Sequence, residues 1–324
     1  MSSTAEMQAF RQAGDVGGRS LALIGAPCDV GAGLRGSSLG PDAIRIAGLA
    51  RRLRGLGHGV HERGNLVGPE NPELAAADGY RHLEQAVEWA RAIHDEVHRA
   101  LAEGQCPILL GGDHSISVGS VAAAARHCAE AGRPLSLLWL DAHADFNTAA
   151  TSPSGNLHGM PVATLCGNGA PQLLELGHAR PMVAPTHVFQ VGVRSVDTIE
   201  RETVLESGVR IHDMRRIDEI GMRAVMEEVL DEIDRIGGHL HVSFDADFVD
   251  PVIAPGVGTP VPGGPDYREA QLCMEMIHDR GLPGSLDVVE VNPALDEQNR
   301  TARLAVELVA SLFGERILAR VAQS

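Results

Sequence analysis

The chain predicts an α/β fold in which a mainly parallel sheet is covered by helices on both faces. Three observations carry that expectation. Short, wholly apolar runs such as residues 107–110 and 135–140 lack the polar alternation of a half-exposed strand, as strands buried on both faces do. They alternate with longer stretches whose apolar residues recur at helical spacing. The composition, 44% hydrophobic and 22% charged over 324 residues, suits a large buried core and not a disordered chain. With aromatics at 3%, Leu, Val, Ile and Ala must fill that core.

Residues 21–24 read as a first strand, ended by Gly25 and Pro27. Residues 41–53 follow as a helix with Pro41 at its start, a position that tolerates the missing N–H. Residues 73–102 form a long helical stretch, 107–110 a strand closed by Gly111 and Gly112, 116–131 a helix and 135–140 another strand. The alternation continues with strand 187–193, helix 197–207, strand 209–212 and helix 216–236, stopped by Gly237 and Gly238. Strand 240–244, helix 267–280 ending at Gly281, strand 286–291 and helix 299–322 complete the pattern. No linker, low-complexity stretch or short-period repeat interrupts it. Residues 21–324 are therefore expected to form one domain, behind a polar tail over residues 1–20. The two longest loops, 147–159 and 250–266, are rich in Gly, Pro, Ser and Thr, and loops of that length inside a compact fold are often functional.

Charge narrows the partners. With 43 acidic against 27 basic residues the formal net charge is −16, which repels nucleic acid and anionic membrane and suits a cation or a cationic substrate. An ordinary acidic surface would give the same balance, so charge alone does not choose. The five cysteines are scattered without a C-x-x-C pair and read as free thiols. Residues 1–20 lack the order of a signal peptide, and no apolar run is long enough to span a membrane. The expected location is the cytoplasm.

Four polar clusters each follow an apolar strand. They are Gly111-Gly112-Asp113-His114-Ser115, Asp141-Ala142-His143-Ala144-Asp145, Asp245-Ala246-Asp247 with Asp250 beyond it, and Glu290 within Val288-Val289-Glu290-Val291-Asn292. In a parallel sheet the carboxyl ends of the strands share one edge, where ligands bind, so the clusters should converge. Gathered carboxylates repel one another, and two divalent cations are the simple remedy. On an extended segment the i, i+2, i+4 spacing of Asp141, His143 and Asp145 places all three on one face, and Asp245 with Asp247 repeats the device. A donor set of oxygens and imidazole nitrogens without thiolate favours Mn²⁺. Any one Asp or His here could be a cap or a core residue, and Asp113 reads as an orienting residue. The combination does not reduce to that.

These motifs resemble those of the ureohydrolases, and among them the arginase family. The resemblance rests on Gly111-Gly112-Asp113-His114-Ser115, Asp141-Ala142-His143-Ala144-Asp145-Phe146-Asn147 and Ser243-Phe244-Asp245-Ala246-Asp247-Phe248-Val249-Asp250-Pro251. Ser154-Gly155-Asn156-Leu157-His158-Gly159-Met160-Pro161 and Glu290-Val291-Asn292-Pro293 add to it, and it runs over nearly the whole chain. It implies a three-layer α/β/α fold. It also implies one cation held by His114, Asp141, Asp145 and Asp245 and a second by Asp141, His143, Asp245 and Asp247, with Asp141 and Asp245 as bridges. Asn147 and Ser154 would bind an α-carboxylate, Asp197 and Glu200 an α-amino group, and Thr259 would line a guanidinium pocket. Relatives assemble as trimers or hexamers, so a homo-oligomer is implied.

The expected reaction is hydrolysis of L-arginine to urea and L-ornithine. A guanidinium is a poor electrophile, and two cations about 3.5–4 Å apart can share a hydroxide that stays ionised near neutral pH. Asp145 can accept a hydrogen bond from that nucleophile, Glu290 can pair with the guanidinium at two points, and His158 titrates in the range of a proton shuttle. Two departures from the family pattern bear on the substrate: Phe248-Val249 stands in place of the usual Gly-Leu, and Ser195 in place of an Asp. The alternatives are a ureohydrolase for agmatine, guanidinobutyrate or another guanidino compound, and a catalytically silent arginine-binding protein. A dinuclear phosphatase would need phosphate-binding Arg or Lys among the clusters, which hold none.

Overall fold

A computed structural model describes residues 18–281 and 283–318. Eight strands among them form one sheet: β1 (Ser20–Gly25), β2 (Gly59–Asn65), β3 (Cys106–Leu110), β4 (Leu135–Leu140), β5 (Val188–Val193), β6 (Arg210–Asp213), β7 (His239–Asp245) and β8 (Ser285–Val289). Their order is β2-β1-β3-β8-β7-β4-β5-β6, and every neighbouring pair is parallel. The helices are α1 (Gly40–Ala47), α2 (Leu49–Gly55), α3 (Leu83–Ala102), α4 (Ser117–Glu130), α5 (Pro161–Leu165), α6 (Pro171–Leu174), α7 (Thr198–Ser207), α8 (Met214–Ile220), α9 (Met222–Ile236), α10 (Tyr267–Asp279) and α11 (Arg300–Leu312).

Alternation along buried strands divides the core into two layers. Leu21, Leu23, Ile108, Leu110, Leu138 and Leu140 pack with α1, α2 and α8–α11 on one face. Ala22, Ile24, Leu109, Leu137 and Trp139 pack with α3–α7 on the other. The sheet is thus the middle of three layers.

The helices are shorter than periodicity alone predicts, and backbone conformation says why. The stretch 41–53 is cut into α1 and α2 by Gly48 at φ 94, and 216–236 into α8 and α9 by Gly221 at φ 86. Left-handed residues end helices, and apolar spacing is blind to them. The stretch 73–102 is helical only from Leu83, because Glu73, Asp78 and His82 all take positive φ. The closing helix stops at Leu312, before Gly314 at φ 101, and residues 319–322 of its predicted span lie outside the described residues. Strand β2 was not foreseen. It is a polar edge strand, GVHERGN, with no buried residue, so hydrophobicity does not mark it. The first strand begins at Ser20, inside the expected tail, while residues 1–17 of that tail lie outside the described residues.

The strand order positions the site. The chain steps from β3 over two positions to β4, and β8 and β7 return to fill the gap. The four strands that precede the polar clusters are therefore the four central neighbours. Register levels their ends: Leu110 pairs with Val288, Phe244 with Val288 and Leu140, and Asp245 with Val289.

Candidate active site

Each cluster is turned inward by its own local device. After β3, Asp113 accepts hydrogen bonds from the N–H groups of Ser115 and Gly31, both at 2.9 Å. It thereby fixes the turn that presents His114, as expected of an orienting residue. After β4, His143 is still extended and pairs with Ser195 as an isolated bridge. Asp145 is not extended: its φ of 50 departs from simple alternation. Asp247 likewise sits not on β7 but in the 3-10 turn Ala246–Phe248, where its N–H donates to Asp245 Oδ1 at 2.7 Å. Glu290 leaves β8 with φ 60. Non-glycine residues in that region are strained and collect at functional sites.

The side chains meet at one point. His114 Nδ1 lies 3.0 Å from Asp141 Oδ2, 3.0 Å from Asp245 Oδ2 and 3.3 Å from Asp145 Oδ2. His143 Nδ1 lies 3.4 Å from Asp141 Oδ1 and 3.2 Å from Asp247 Oδ2. Two groups of donor atoms, His114 with Asp141 and Asp245, and Asp141 with His143 and Asp247, each fall within 4.8 Å. Asp141 belongs to both. Supporting bonds aim these groups. Trp139 Nε1 donates to Asp141 Oδ2 at 2.8 Å, and the Trp139 ring stacks on His114 at 3.9 Å. Ser243 Oγ meets His114 Nε2 at 2.9 Å.

The arrangement fits cations better than protons. His114 Nδ1 is buried and makes no hydrogen bond, although three carboxylate oxygens surround it. As a metal ligand, with Nε2 donating to Ser243, Nδ1 would direct its lone pair at these oxygens. Lone pairs that face one another need a positive charge between them. The carboxylates show the same tension. Burial, and then the charge of Asp141, pushes Asp145 well above the usual range. Burial and the charge of Asp247 do the same to Asp245, and burial and Asp141 raise Asp247. Asp141 goes the other way, because His114 and His143 outweigh its burial.

The other expected residues line one cleft, a cavity of about 150 Å³ that includes Asn147, Ser154, His158, Asp197, Glu200, Thr259 and Glu290. Glu290 Oε1 accepts from the His114 N–H at 2.9 Å and meets His158 Nδ1 at 3.0 Å. Thr259 Oγ1 donates to Asp247 Oδ2 at 3.0 Å. Asn147 Nδ2 donates to Asp197 Oδ2 at 3.0 Å and its Oδ1 accepts from Thr151. Ser154 Oγ accepts from the Asn156 N–H. Glu200 is buried, and both its oxygens accept backbone N–H groups, from Phe146 and Asp197, so it caps α7 and ties that helix to the Asp145 loop. Asp250 stays outside the cleft and holds the Gly263 and Gly264 N–H groups instead.

The departures separate on inspection. Ser195 lines the cleft and pairs with the His143 backbone, so it does touch the metal-binding segment. Phe248 and Val249 are fully buried in the core and do not line the cleft. Sequence reading also missed Arg194. Its guanidinium makes six hydrogen bonds, to the carbonyls of Gly192, Asp247, Phe248, Val249 and Val261. It clamps the Asp247 turn and the Thr259 loop onto the end of β5. No motif flags a residue that binds only carbonyls.

Known proteins resemble this chain over most of its length. The arginase family model matches residues 19–314. The arginase of Agrobacterium fabrum (strain C58) is 44% identical over 326 residues, covering 99% of each chain. That of Brucella melitensis is 46% identical over 299 residues, 92% of this chain and 97% of its own. The crystal structure of arginase from Bacillus caldovelox superposes with a TM-score of 0.89 at 41% identity, covering 93% of this chain and all of that one. Fold and cleft thus define an amidinohydrolase with a place for two divalent metal ions. Within that class, the chain belongs to the arginase family.

Two outcomes follow from the geometry. Arg194→Lys keeps a charge but loses the fork, and should cost about 2–3 kcal/mol in chemical denaturation, the range for hydrogen bonds to a charged group. An unchanged midpoint would show the clamp to be idle. The second concerns pH. His114 is raised, and His143 is raised to about 12, because their carboxylate neighbours outweigh burial. Together with Asp145, Asp245 and Asp247, these groups bind protons more tightly folded than unfolded, so their stabilisation is lost as pH rises. The lowered Asp141 and Glu290 act oppositely, but only in the acid range. In chelator, the unfolding temperature should therefore fall between about pH 6 and about pH 9, and excess Mn²⁺ should flatten the fall. A chelated protein that grows more stable across that window would contradict the electrostatics described.

Proposed function

We propose that this cleft hydrolyses the guanidinium of L-arginine to urea and L-ornithine, with two Mn²⁺ ions held by His114, Asp141, Asp145 and Asp245 and by Asp141, His143, Asp245 and Asp247. The observation that carries the reading is His114 Nδ1, unbonded among three carboxylate oxygens. Bound there, such a metal pair supplies a water-derived nucleophile at neutral pH.

The chain's own groups account for the rest. Glu290 is held ionised: burial raises its pKa, but the His158 hydrogen bond and charge outweigh this and lower it. Glu290 lines the cleft, with its Oε2 in the neighbourhood of Gly258. A guanidinium pairs with a carboxylate in that position by charge-assisted hydrogen bonds. Asp145 Oδ2 lies 3.3 Å from His114 Nδ1 and can accept a hydrogen bond from the nucleophile. His158 is bonded at Nδ1, and among the described residues its Nε2 has no partner. Burial lowers its pKa, yet Glu290 raises it above the ordinary value, so a proton held at Nε2 near neutral pH is available to the departing amine of ornithine. Asn147, Ser154, Asp197 and Glu200 lie together at the rim, on the 147–154 loop and at the start of α7, where an α-amino and α-carboxylate end would rest, and Thr259 steadies Asp247. A homo-oligomer and a cytoplasmic location belong to the same reading.

An assay of urea release from L-arginine, agmatine and guanidinobutyrate after Mn²⁺ loading tests the substrate. kcat/KM for arginine should exceed that for agmatine by about two orders of magnitude, because polar groups set for a carboxylate stay unpaired without it. Asn147→Ala with Ser154→Ala should narrow the ratio. A preference for agmatine or guanidinobutyrate would overturn the arginine reading while leaving the family assignment intact. For the proton step, His158→Asn should retain metal and fold but lower kcat by about 10²-fold with little change in KM. If metal content and unfolding temperature fall while kcat per loaded site is unchanged, His158 is a structural residue.

A further inference from the structure

The opposite edge of the sheet holds a second cavity, of about 470 Å³, where β1, β3, β4, β7 and β8 begin. Arg19, Arg133, Arg280, His127 and His239 line it, against the single carboxylate of Asp234. In a chain of net charge −16, such a gathering of basic groups in one concavity runs against composition.

Local structure accounts for only part of it. Arg280 is matched by Asp231 at 2.6 Å and Asp234 at 2.7 Å. Helix carboxyl ends meet here, and cations complement them. But α3, α9 and α10 are already closed by backbone bonds, from Gly104, Gly237 and Gly281 to the carbonyls of Leu101, Ile233 and His278. Arg19 and Arg133 remain. Arg19 Nη1 donates to the Pro283 carbonyl at 2.8 Å, and Arg133 Nη2 meets His127 Nε2 at 3.2 Å. Among the described residues neither makes an ion pair with a carboxylate. An arginine directed at an imidazole is a cation still lacking an anion.

His239 registers the positive field of this cavity. The residue is 6% exposed. Its Nε2 is taken by Ser285 Oγ at 2.8 Å, and its Nδ1 has no hydrogen bond among the described residues. Burial, with the charges of His241, His127, Arg133 and Arg19, holds His239 down to about 3, as expected in a positive field. Its ring lies against Gly284, where a Cβ would collide with it.

We propose that this cavity binds a small dianion, with Arg19 and Arg133 as its charged partners. Guanidinium forks suit both carboxylate and tetrahedral oxyanion. The site lies at the far end of the sheet from the metal clusters and does not rest on the arginine reading.

The test uses the full chain loaded with Mn²⁺, titrated calorimetrically with sodium sulfate and separately with sodium succinate at ionic strength held constant by sodium chloride. One saturable site per chain is expected for at least one of them. The preferred anion tells a phosphate-like ligand from a dicarboxylate. Arg133→Gln, a change at an exposed guanidinium, should weaken binding by at least about tenfold, the loss of one charged hydrogen-bonding partner. Arg126→Gln removes the same charge from the outer surface of α4, where Arg126 pairs with Glu130, and should leave affinity unchanged. Absence of saturable binding by both anions, or equal losses in the two variants, would overturn the proposal.

Discussion

Asp141, Asp145, Asp245, Asp247 and Glu290 are forced together because β4, β7 and β8 are neighbours whose ends lie level. None can retreat to water, since all five are nearly fully buried. Ionised carboxylates in such a place repel strongly. Two imidazoles relieve part of this: they lower Asp141, while burial and neighbouring carboxylates still raise Asp145 and Asp245. Much of the molecule near this edge serves to hold the repelling groups where a cation would find them. Trp139 and the backbone N–H groups of His143 and Asp247 each fix one carboxylate lone pair, and Ser243 holds the His114 ring through Nε2.

That burden explains the unusual backbone. A strand delivers side chains to one face at every second residue, but two metal ions need donors converging from several directions. Asp145 and Glu290 achieve this with left-handed backbones, and Asp247 with a 3-10 turn. Such conformations persist only when surroundings over-determine them. Arg194 supplies that restraint for the Asp247 turn, and Glu200 for the Asp145 loop through the Phe146 N–H. Stability and function are coupled here: the donor set depends on residues that hold the turns without belonging to it.

The parallel sheet, its two covered faces and the convergence of four clusters were legible because each depends on a pattern along the chain. Buried strands read as apolar runs, and parallel topology puts their carboxyl ends on one edge. What escaped depends on local conformation or on single contacts. Gly48 and Gly221 divide helices that periodicity runs together, and β2 is invisible because an edge strand need not be apolar. The D-x-H-x-D side chains come together for a partly different reason than their spacing suggests. Alternation serves Asp141 and His143, while Asp145 arrives through its positive φ. Arg194 has no sequence signature, since carbonyls are its partners.

The family departures acquire different weights once placed. Phe248 fills space that Gly192 leaves open: a Cβ on Gly192 would come within 2.5 Å of the Phe248 ring, and Gly192 itself sits at φ 98. The bulky side chain points away from the cleft and packs edge-on against Phe244. Its effect on substrate therefore runs only through the backbone of the Asp247 turn, which Arg194 already fixes. Ser195 is a different matter. It lies in the cleft wall beside Asp197, and a hydroxyl there brings no negative charge where the family pattern has a carboxylate. Both Glu200 oxygens accept backbone N–H groups, so on the proposed reading Asp197 is the carboxylate left for a substrate ammonium, and one of its oxygens is shared with Asn147. On that reading, recognition of the amino end rests on fewer charges than the motif alone suggests, and on the loop that carries Asn147 and Ser154.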